Sequence, residues 1–197
     1  MHPLQCLQVC DLQLIYHVSK TECHKSLWRA IDAINQLEEL EIKFPTDVED
    51  LKKIEVEFAA AHKRRYGSYS WRGQVGAIDG IDIAQRNPGK AVANPNRFYV
   101  ERKAGHVILC IAICDAHRRF IYYHISHEAA THDSLAWAGS TLGLKIKDIL
   151  PAPFFINGDS AFVQENHMVV PSNDSDFDFY QSSNRMAIEC AFGVLVR

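Results

Sequence analysis

Three apolar runs rich in β-branched residues constrain the fold of this chain more than any other feature. They are "QVGAIDGIDIA" (74–84), "HVILCIAICD" (106–115) and "RFIYYHIS" (119–126). Runs of this length and composition predict β-strands, and a short polar turn separates the last two. Further elements follow: a helix in "THDSLAWAGSTL" with Asp133 or Ser134 as N-cap, strands at 153–157 and 167–171, and a closing helix from Ser182 or Ser183. This order predicts a mixed α/β domain over residues 71–197.

The first 66 residues predict helices instead of strands. Ser19-x-x-Glu22 has the pattern of a capping box, and apolar residues then recur at helical spacing at Leu27, Ile31, Ile34 and Leu37. A shorter apolar segment at 12–18 precedes the cap, so the outline is that of a helix-turn-helix; an ordinary helical hairpin would give the same pattern. Pro45-Thr46 interrupts the chain before a second helix at about 47–64.

Size and composition describe a globular protein. The 197 residues, 47% of them hydrophobic, can bury one core and carry a small helical appendage. No apolar run approaches the roughly 18 residues that a membrane span needs. The N-terminus has no basic region before its apolar residues, and Asp11 and Gln13 interrupt these, which does not fit a secretory signal. We therefore expect an intracellular protein.

The six cysteines follow no disulfide spacing, which fits a reducing compartment. The pattern His106-x3-Cys110-x3-Cys114-x2-His117 resembles a zinc site. On a strand, however, Cys110 and Cys114 would lie about 13 Å apart and could not bind one ion together. We therefore expect both thiols to be core residues and expect no zinc.

Charge is unevenly distributed along the chain. The net charge of -3 argues against a nucleic-acid partner, but residues 62–72 carry four bases and no acid, and residues 86–119 carry seven bases against two acids. Tyrosine, tryptophan and phenylalanine lie between these bases, so the segments could follow a phosphate backbone. The alternative is a solvated charged surface. The candidate DNA contacts are Lys63, Arg64, Arg65, Arg72, Arg97, Arg102 and Lys103.

Three acids lie where their apolar surroundings do not favour a charge. Asp79 is inside a predicted strand, Asp159 follows the strand "PFFIN", and Glu189 is in the apolar helix "MAIECAFGVLV". A buried carboxylate is costly unless it is paired or binds a metal. Each acid also has a plain alternative: Asp79 and Asp159 could form turns, and Glu189 could pair with Arg185 one helical turn earlier.

A carboxylate triad drawn from two strands and a helix would suit two Mg²⁺ or Mn²⁺ ions. Both are hard cations that prefer oxygen ligands. Two such ions about 4 Å apart can stabilise the attacking and the leaving oxygen of a phosphodiester. The three acids therefore point to metal-dependent chemistry on nucleic acid.

The motifs "VGAIDGIDI", "RKAGHVILCIAICDAHRRF", "THDSLAW", "INGDSAF" and "NRMAIECAFGVL" occur in the order found in PIF/Harbinger-type transposases. Over roughly residues 71–197 the chain resembles the catalytic region of these transposases, which are DDE enzymes with an RNase H-like fold. The resemblance implies a mixed sheet flanked by helices and a triad of Asp79, Asp159 and Glu189. It also implies supporting roles for His132 and Asp133 and a phosphate contact by Arg102 and Lys103.

The same resemblance implies cleavage and strand transfer on DNA, a nuclear location and two divalent ions. It also allows a Myb-like accessory protein as partner, and a homodimer stays open. Glu101 replaces the usual asparagine, only 30 positions separate Asp159 from Glu189, and the nuclease domain is expected to be truncated at its C-terminal end. A domesticated or decayed relative that binds DNA or a protein without catalysis is therefore the alternative. A small structural protein with a basic surface is a third reading.

Overall fold

The computed structural model describes residues 17–68, 70–126 and 131–196, and the side chains of Ala91, Arg102 and Ser126 lie outside this description. The chain divides into two compact units, Met1–Glu41 and Ile42–Arg197. The second unit includes the helix that follows Pro45, which the sequence grouped with the N-terminal helical segment. The functional division into a helix-turn-helix segment and a nuclease domain stays a prediction.

The described part of the first unit is built around helix α1, Lys20–Asn35. Its predicted N-cap is confirmed, because the Ser19 side chain accepts a hydrogen bond from the Glu22 N–H at 3.2 Å. No residue of α1 is buried among the described residues. The predicted helix at 12–18 lies outside the described residues except for its last two positions, which are not helical.

Helix α2, Val48–Tyr66, opens the second unit close to its predicted position. Asp47 caps it by accepting from the Glu49 N–H at 2.7 Å. Gly67, at φ 76°, ends it in the left-handed conformation that glycine adopts at low cost. Leu51, Phe58 and Ala59 are buried. The helix contributes to the core on both faces of the sheet.

Three antiparallel strands form one side of the sheet, at the positions where the sequence predicted strands. They are β1 (Gln74–Gln85), β3 (Gly105–Cys114) and β4 (Phe120–Ser126), with the two-residue strand β2 (Tyr99–Val100) beside the start of β3. β1 pairs with β3 over nine residues from Ala77 to Gln85, and β3 pairs with β4 on its other edge. A short turn joins β3 to β4, as is common for antiparallel neighbours, whereas residues 86–104 connect β1 to β3.

Two parallel strands, β5 (Phe155–Asn157) and β6 (Met168–Val169), extend the sheet from the other edge of β1. Helices α3 (Asp133–Ala138) and α4 (Ile146–Ile149) lie between β4 and β5 in sequence. The strand order is β2-β3-β1-β5-β6, with β4 paired to β3. A mixed six-stranded sheet flanked by helices is the RNase H-like arrangement that the sequence predicted.

The closing helix α5, Ser175–Leu195, begins earlier than predicted. The predicted start at Ser182 or Ser183 is wrong, and "SDFDFYQ" is helical. Asp174 is the N-cap, and its carboxylate accepts hydrogen bonds from the N–H groups of Asp176 and Phe177. Acids favour the first helical turn because the dipole end is positive there. This polar, acidic segment has the composition of a loop but forms the start of α5.

Side chains from the two faces of the sheet form two hydrophobic clusters. Ile78, Ile111 and Trp137 belong to the larger one, and Ala77, Ala112 and Ile188 to the smaller one. Successive residues of a strand point to opposite faces, so α5 covers the face that Ala77 and Asp79 share. In the described part of the chain no helix is both long and apolar enough to cross a membrane.

Candidate functional site

The candidate site lies where β1 extends past the end of β5. Asn157, the last residue of β5, is in register with Ala77 of β1. Asp79 is two residues further along β1, and Asp159 is two residues past the end of β5. Because the strands run parallel, both acids lie at the carboxyl end of the pair. Acids that are 80 positions apart in sequence thus come to the same end of the segment in which β1 and β5 pair.

Asp79 is a half-buried carboxylate with little compensation. Its Oδ1 accepts a hydrogen bond from the Gly80 N–H at 2.9 Å. Burial, helped by the charges of Asp159 and Asp133, raises the pKa of Asp79 from 3.8 to about 6, while the hydrogen bond from Gly80 and the charge of Arg185 oppose the rise. A raised carboxyl pKa in a group of acids marks candidate functional sites.

Asp159 occupies the turn after β5. Its Oδ1 accepts a hydrogen bond from the Ala161 N–H at 2.9 Å, so the turn-forming role considered for it is present. Its charge also contributes to the raised pKa values of Asp79 and Asp133. The Asp159 side chain can therefore stabilise the turn and contribute its charge to the group of acids at the same time.

Glu189 joins the site through Arg185. The Glu189 side chain is 46% exposed, and its Oε1 lies 2.7 Å from Nη2 of Arg185, the pair that the sequence offered as the plain alternative. The same guanidinium reaches Oδ2 of Asp79 at 3.5 Å through Nη1. Arg185 therefore connects the acid on α5 to the acid on β1, a contact that the sequence did not predict.

A buried amide cluster holds α5 against the sheet next to these acids. The Asn157 side chain donates to the backbone oxygen of Gln181 at 3.0 Å, and the Gln181 side chain donates to Asn157 Oδ1 at 2.6 Å and to the Gly158 carbonyl. Gln74 of β1 accepts from Trp71 and lies 3.5 Å from Asn157. These bonds tie β1, β5 and α5 together. They show how the short segment between Asp159 and Glu189 closes back on the sheet.

Asp133 lies on the other side of β1. The sequence predicted Asp133 or Ser134 as the N-cap of α3. Both predictions are wrong, because His132 has the cap position and Asp133 is the first helical residue. The Asp133 carboxylate packs instead against Gly80. Burial raises the pKa of Asp133, as do the charges of Asp159 and Asp82. The exposed His132 lowers the same pKa, so both predicted supporting residues belong to the surroundings of the acids.

The donor set fits hard divalent ions in its chemistry, since Asp79, Asp159 and Glu189 offer carboxylate oxygens. Within residues 17–68, 70–126 and 131–196, no three His, Cys, Asp or Glu side chains are close enough to form a metal-binding group. The guanidinium of Arg185 contacts the carboxylates of both Asp79 and Glu189. Asp79, Asp159 and Glu189 stay the predicted ligands of such ions.

The predicted DNA contacts fall into two groups. Lys63, Arg64 and Arg65 are exposed in the last turn of α2. Arg65 donates to Ser183 of α5 at 2.7 Å. Ser183 and Arg185 are two residues apart, so their side chains point about 200° apart around the helix. The basic end of α2 therefore contacts a different face of α5 from the one that faces Asp79.

The remaining bases lie in the segments before β1 and between β1 and β3. Exposed Arg72 is 3.8 Å from Glu55, and Lys103 pairs with Asp82 at 2.9 Å. Arg97 is exposed in a 3-10 helix, Pro95–Phe98. Arg102 lies in the 3-10 helix Glu101–Lys103, and its side chain is outside the described part of the structure.

The two cysteines of the zinc-like pattern are core residues of β3. Cys110 is 8% exposed, and Cys114 is fully buried in the smaller hydrophobic cluster. Burial raises the pKa of both thiols, which disfavours the thiolate that metals bind. His117 of the same pattern faces Glu57 at 3.4 Å.

The fold places the chain among RNase H-like proteins, and comparison with known proteins gives the family. Residues 78–196 match the model of the DDE superfamily endonucleases, a range that includes Asp79, Asp159 and Glu189. The chain belongs to this family, which confirms the family that the sequence motifs predicted. The HARBI1 proteins, named as candidate nucleases, are similar at 25% identity in Rattus norvegicus and Mus musculus and 23% in Homo sapiens.

Each HARBI1 match covers 130 residues, which are 66% of this chain and 34% of the relative. The chain thus spans about a third of the length of these relatives. No solved structure gives a significant match.

Proposed function

We propose that this chain is a transposase-derived, divalent-metal-dependent DNA endonuclease with a strand-transfer activity, whose triad is Asp79, Asp159 and Glu189. The observation that carries the proposal is that Asp79 and Asp159 lie at the same end of the segment in which β1 and β5 pair. Both acids fall inside the range that matches the DDE superfamily endonucleases. Glu189 on α5 is linked to Asp79 through Arg185, which contacts both carboxylates.

Mg²⁺ or Mn²⁺, two ions in the proposal, would supply charge neutralisation and an activated oxygen nucleophile when bound. The residues of the chain have separate tasks. Asp79 would present its carboxylate oxygens from a strand, and Asp159 from the turn that follows one. Glu189 is more exposed and would complete the ligand set from α5. Asp133 adds a negative charge from the opposite face of β1.

DNA is the proposed substrate, and the proposed location is the nucleus. The exposed bases at the end of α2 and around Arg97 and Lys103 are the proposed phosphate contacts, because exposed guanidinium and ammonium groups bind a phosphate backbone. A Myb-like accessory protein and a homodimer remain proposals that follow from the family resemblance.

Nicking of supercoiled plasmid DNA tests the proposal. The wild-type chain should nick plasmid in the presence of Mn²⁺ and lose this activity on addition of EDTA. Asp159→Asn keeps the shape of the side chain but removes a ligand charge, so nicking should fall by at least about a hundredfold, a typical loss for a group that stabilises the transition state. Asp148→Asn, at an exposed acid of α4, is the matched control and should nick like the wild type. Equal nicking by Asp159→Asn and wild type would contradict the assignment.

A second candidate function is DNA or protein binding without catalysis. The observation that favours it is the engagement of Arg185 with both Asp79 and Glu189, since no metal-binding group is assembled among the described residues. Plasmid that stays supercoiled with Mn²⁺, while the wild-type chain still binds DNA, supports this second function.

A further inference from the structure

We propose that Arg185 is a built-in counter-cation of the acidic site, which divalent ions displace when they bind. The inference rests on the proposed function, because it takes Asp79 and Glu189 as metal ligands. It assigns a role to a residue that is itself no ligand. Arg185 would stabilise the protein without metal and weaken its affinity for metal.

One guanidinium touches two acids that come from different elements. Nη2 of Arg185 lies 2.7 Å from Oε1 of Glu189, and Nη1 lies 3.5 Å from Oδ2 of Asp79. The Arg185 side chain is 16% exposed, so its charge is held within the site. The planar guanidinium carries several donors in a fixed fork, which suits it to bridge two carboxylates.

The helix explains the position of Arg185. Residues four apart on a helix lie on the same face, so Arg185 and Glu189 face β1 together. This face packs on the sheet through Ile188, a fully buried residue next to Glu189. The helical backbone therefore holds the cation within reach of Asp79.

Charge explains why a cation is needed there. Asp159 and Asp133 act on Asp79 with like charge, and Arg185 opposes them. Like charges held close together in a half-buried site repel strongly unless a cation intervenes. Arg185 supplies such a charge in the protein without metal.

The same contacts explain why Arg185 competes with a metal. An ion bound between Asp79 and Glu189 needs the carboxylate oxygens that the guanidinium contacts, and the two cations repel each other. At 3.5 Å the contact with Asp79 is at the outer limit of a hydrogen bond. The side chain of Arg185 is long and flexible, so it can turn away from Asp79 when a stronger cation binds. Metal binding and the bridge by Arg185 therefore exclude each other.

Calorimetric titration of the full chain with MnCl₂, at about pH 8 so that the carboxyls are ionised, tests the inference. Arg185→Gln removes the competing charge and should bind Mn²⁺ about tenfold more tightly than the wild type, the equivalent of one charged hydrogen bond. Without metal its melting temperature should be lower, and Mn²⁺ should raise that temperature more than in the wild type. Arg119→Gln is the matched control, because it breaks a similar bridge to Asp115 on the same unit; its Mn²⁺ affinity should equal that of the wild type.

Arg185→Lys keeps the charge but cannot bridge two carboxylates with a planar fork. Its Mn²⁺ affinity should lie between those of the wild type and Arg185→Gln, and it decides the question if Arg185→Gln fails to fold. If both Arg185 variants bind Mn²⁺ no more tightly than the wild type does, the inference is overturned.

Asp79→Asn separates this inference from the proposed function. If Asp79→Asn loses Mn²⁺ binding while the Arg185 variants bind no more tightly than the wild type, the metal site stands and only the role of Arg185 is wrong. If the wild type binds no Mn²⁺, or Asp79→Asn binds it equally well, the proposed metal site fails and the inference fails with it.

Discussion

The carboxylate of Asp133 packs directly against the α-carbon of Gly80. A Cβ at position 80 would lie 2.6 Å from Oδ2 of Asp133, closer than real Cβ contacts allow. Gly80 follows Asp79 in β1, so the missing side chain lets an acid from α3 approach the strand beside the candidate triad.

Gly80→Ala should therefore destabilise the protein through Asp133. We expect a loss of about 1–3 kcal/mol in the free energy of unfolding, the usual cost of overpacking. Gly193→Ala is the matched control, since nothing lies within 4 Å of a Cβ added at this position and alanine favours a helix over glycine by about 0.5–1 kcal/mol. Urea denaturation measures both.

A double-mutant cycle identifies Asp133 as the cause. In an Asp133→Ala background, Gly80→Ala should cost at least about 1 kcal/mol less, because the clashing oxygens are gone. Additive losses would show that Gly80 is required for another reason.

The raised pKa of Asp79 predicts a pH dependence of stability. In the range from about 4 to 6 the folded protein binds a proton that the unfolded chain, with its carboxyl pKa of 3.8, has released. The contribution of Asp79 to stability therefore falls as pH rises through this range and stays low above it. Asp79→Asn has no carboxyl group to ionise, so it does not lose this stability as pH rises. In EDTA at neutral pH its free energy of unfolding should exceed that of the wild type by about 1–3 kcal/mol.

The difference between wild type and Asp79→Asn isolates this effect. Burial lowers the pKa of His62 and His167, so these two groups add stability as pH rises through a similar range. They are present in both proteins and cancel in the difference. Urea denaturation at several pH values between about 4 and 8 measures it; a difference that does not change with pH contradicts the raised pKa.

The buried amide of Gln181 predicts a large loss on truncation. Gln181→Ala removes its bonds to Asn157 and Gly158 and leaves these groups buried without a partner. We expect a loss of about 2–4 kcal/mol in the free energy of unfolding. Exposed Gln164, which also makes two backbone hydrogen bonds, is the control, and Gln164→Ala should change stability by less than about 1 kcal/mol.

Salt dependence tests the predicted DNA contacts. If Arg64 neutralises a phosphate, Arg64→Ala should lower the slope of log affinity against log salt by about 0.9. Lys53→Ala is the control on the same helix, because Lys53 is exposed in its acidic half and pairs with Asp50. Its slope should match that of the wild type. DNA binding that is absent or independent of salt would favour the reading as a small structural protein with a basic surface.

Patterns that are local in sequence predicted most of the elements correctly. Alternating and continuous apolar runs placed β1, β3 and β4, and Ser19 marked the start of α1. These patterns gave a wrong prediction where the same residues are compatible with either a loop or a helix. "SNDSDFDFYQ" is rich in residues that favour turns, but Asp174 uses the same chemistry to cap α5, and only packing of the later residues decides between loop and helix.

The sequence by itself determined the mixed α/β class, the order of the elements and the family, because periodicity and motif order are properties of neighbouring residues. It also singled out Asp79, Asp159 and Glu189 as acids in apolar surroundings. The pair of Arg185 and Glu189 was visible as a spacing of one helical turn. Only the tertiary structure decided that Arg185 also reaches Asp79, that Asp133 packs on Gly80, and that Gln181 ties α5 to β5. These contacts join residues far apart in the chain, and strand register and helix packing set their distances.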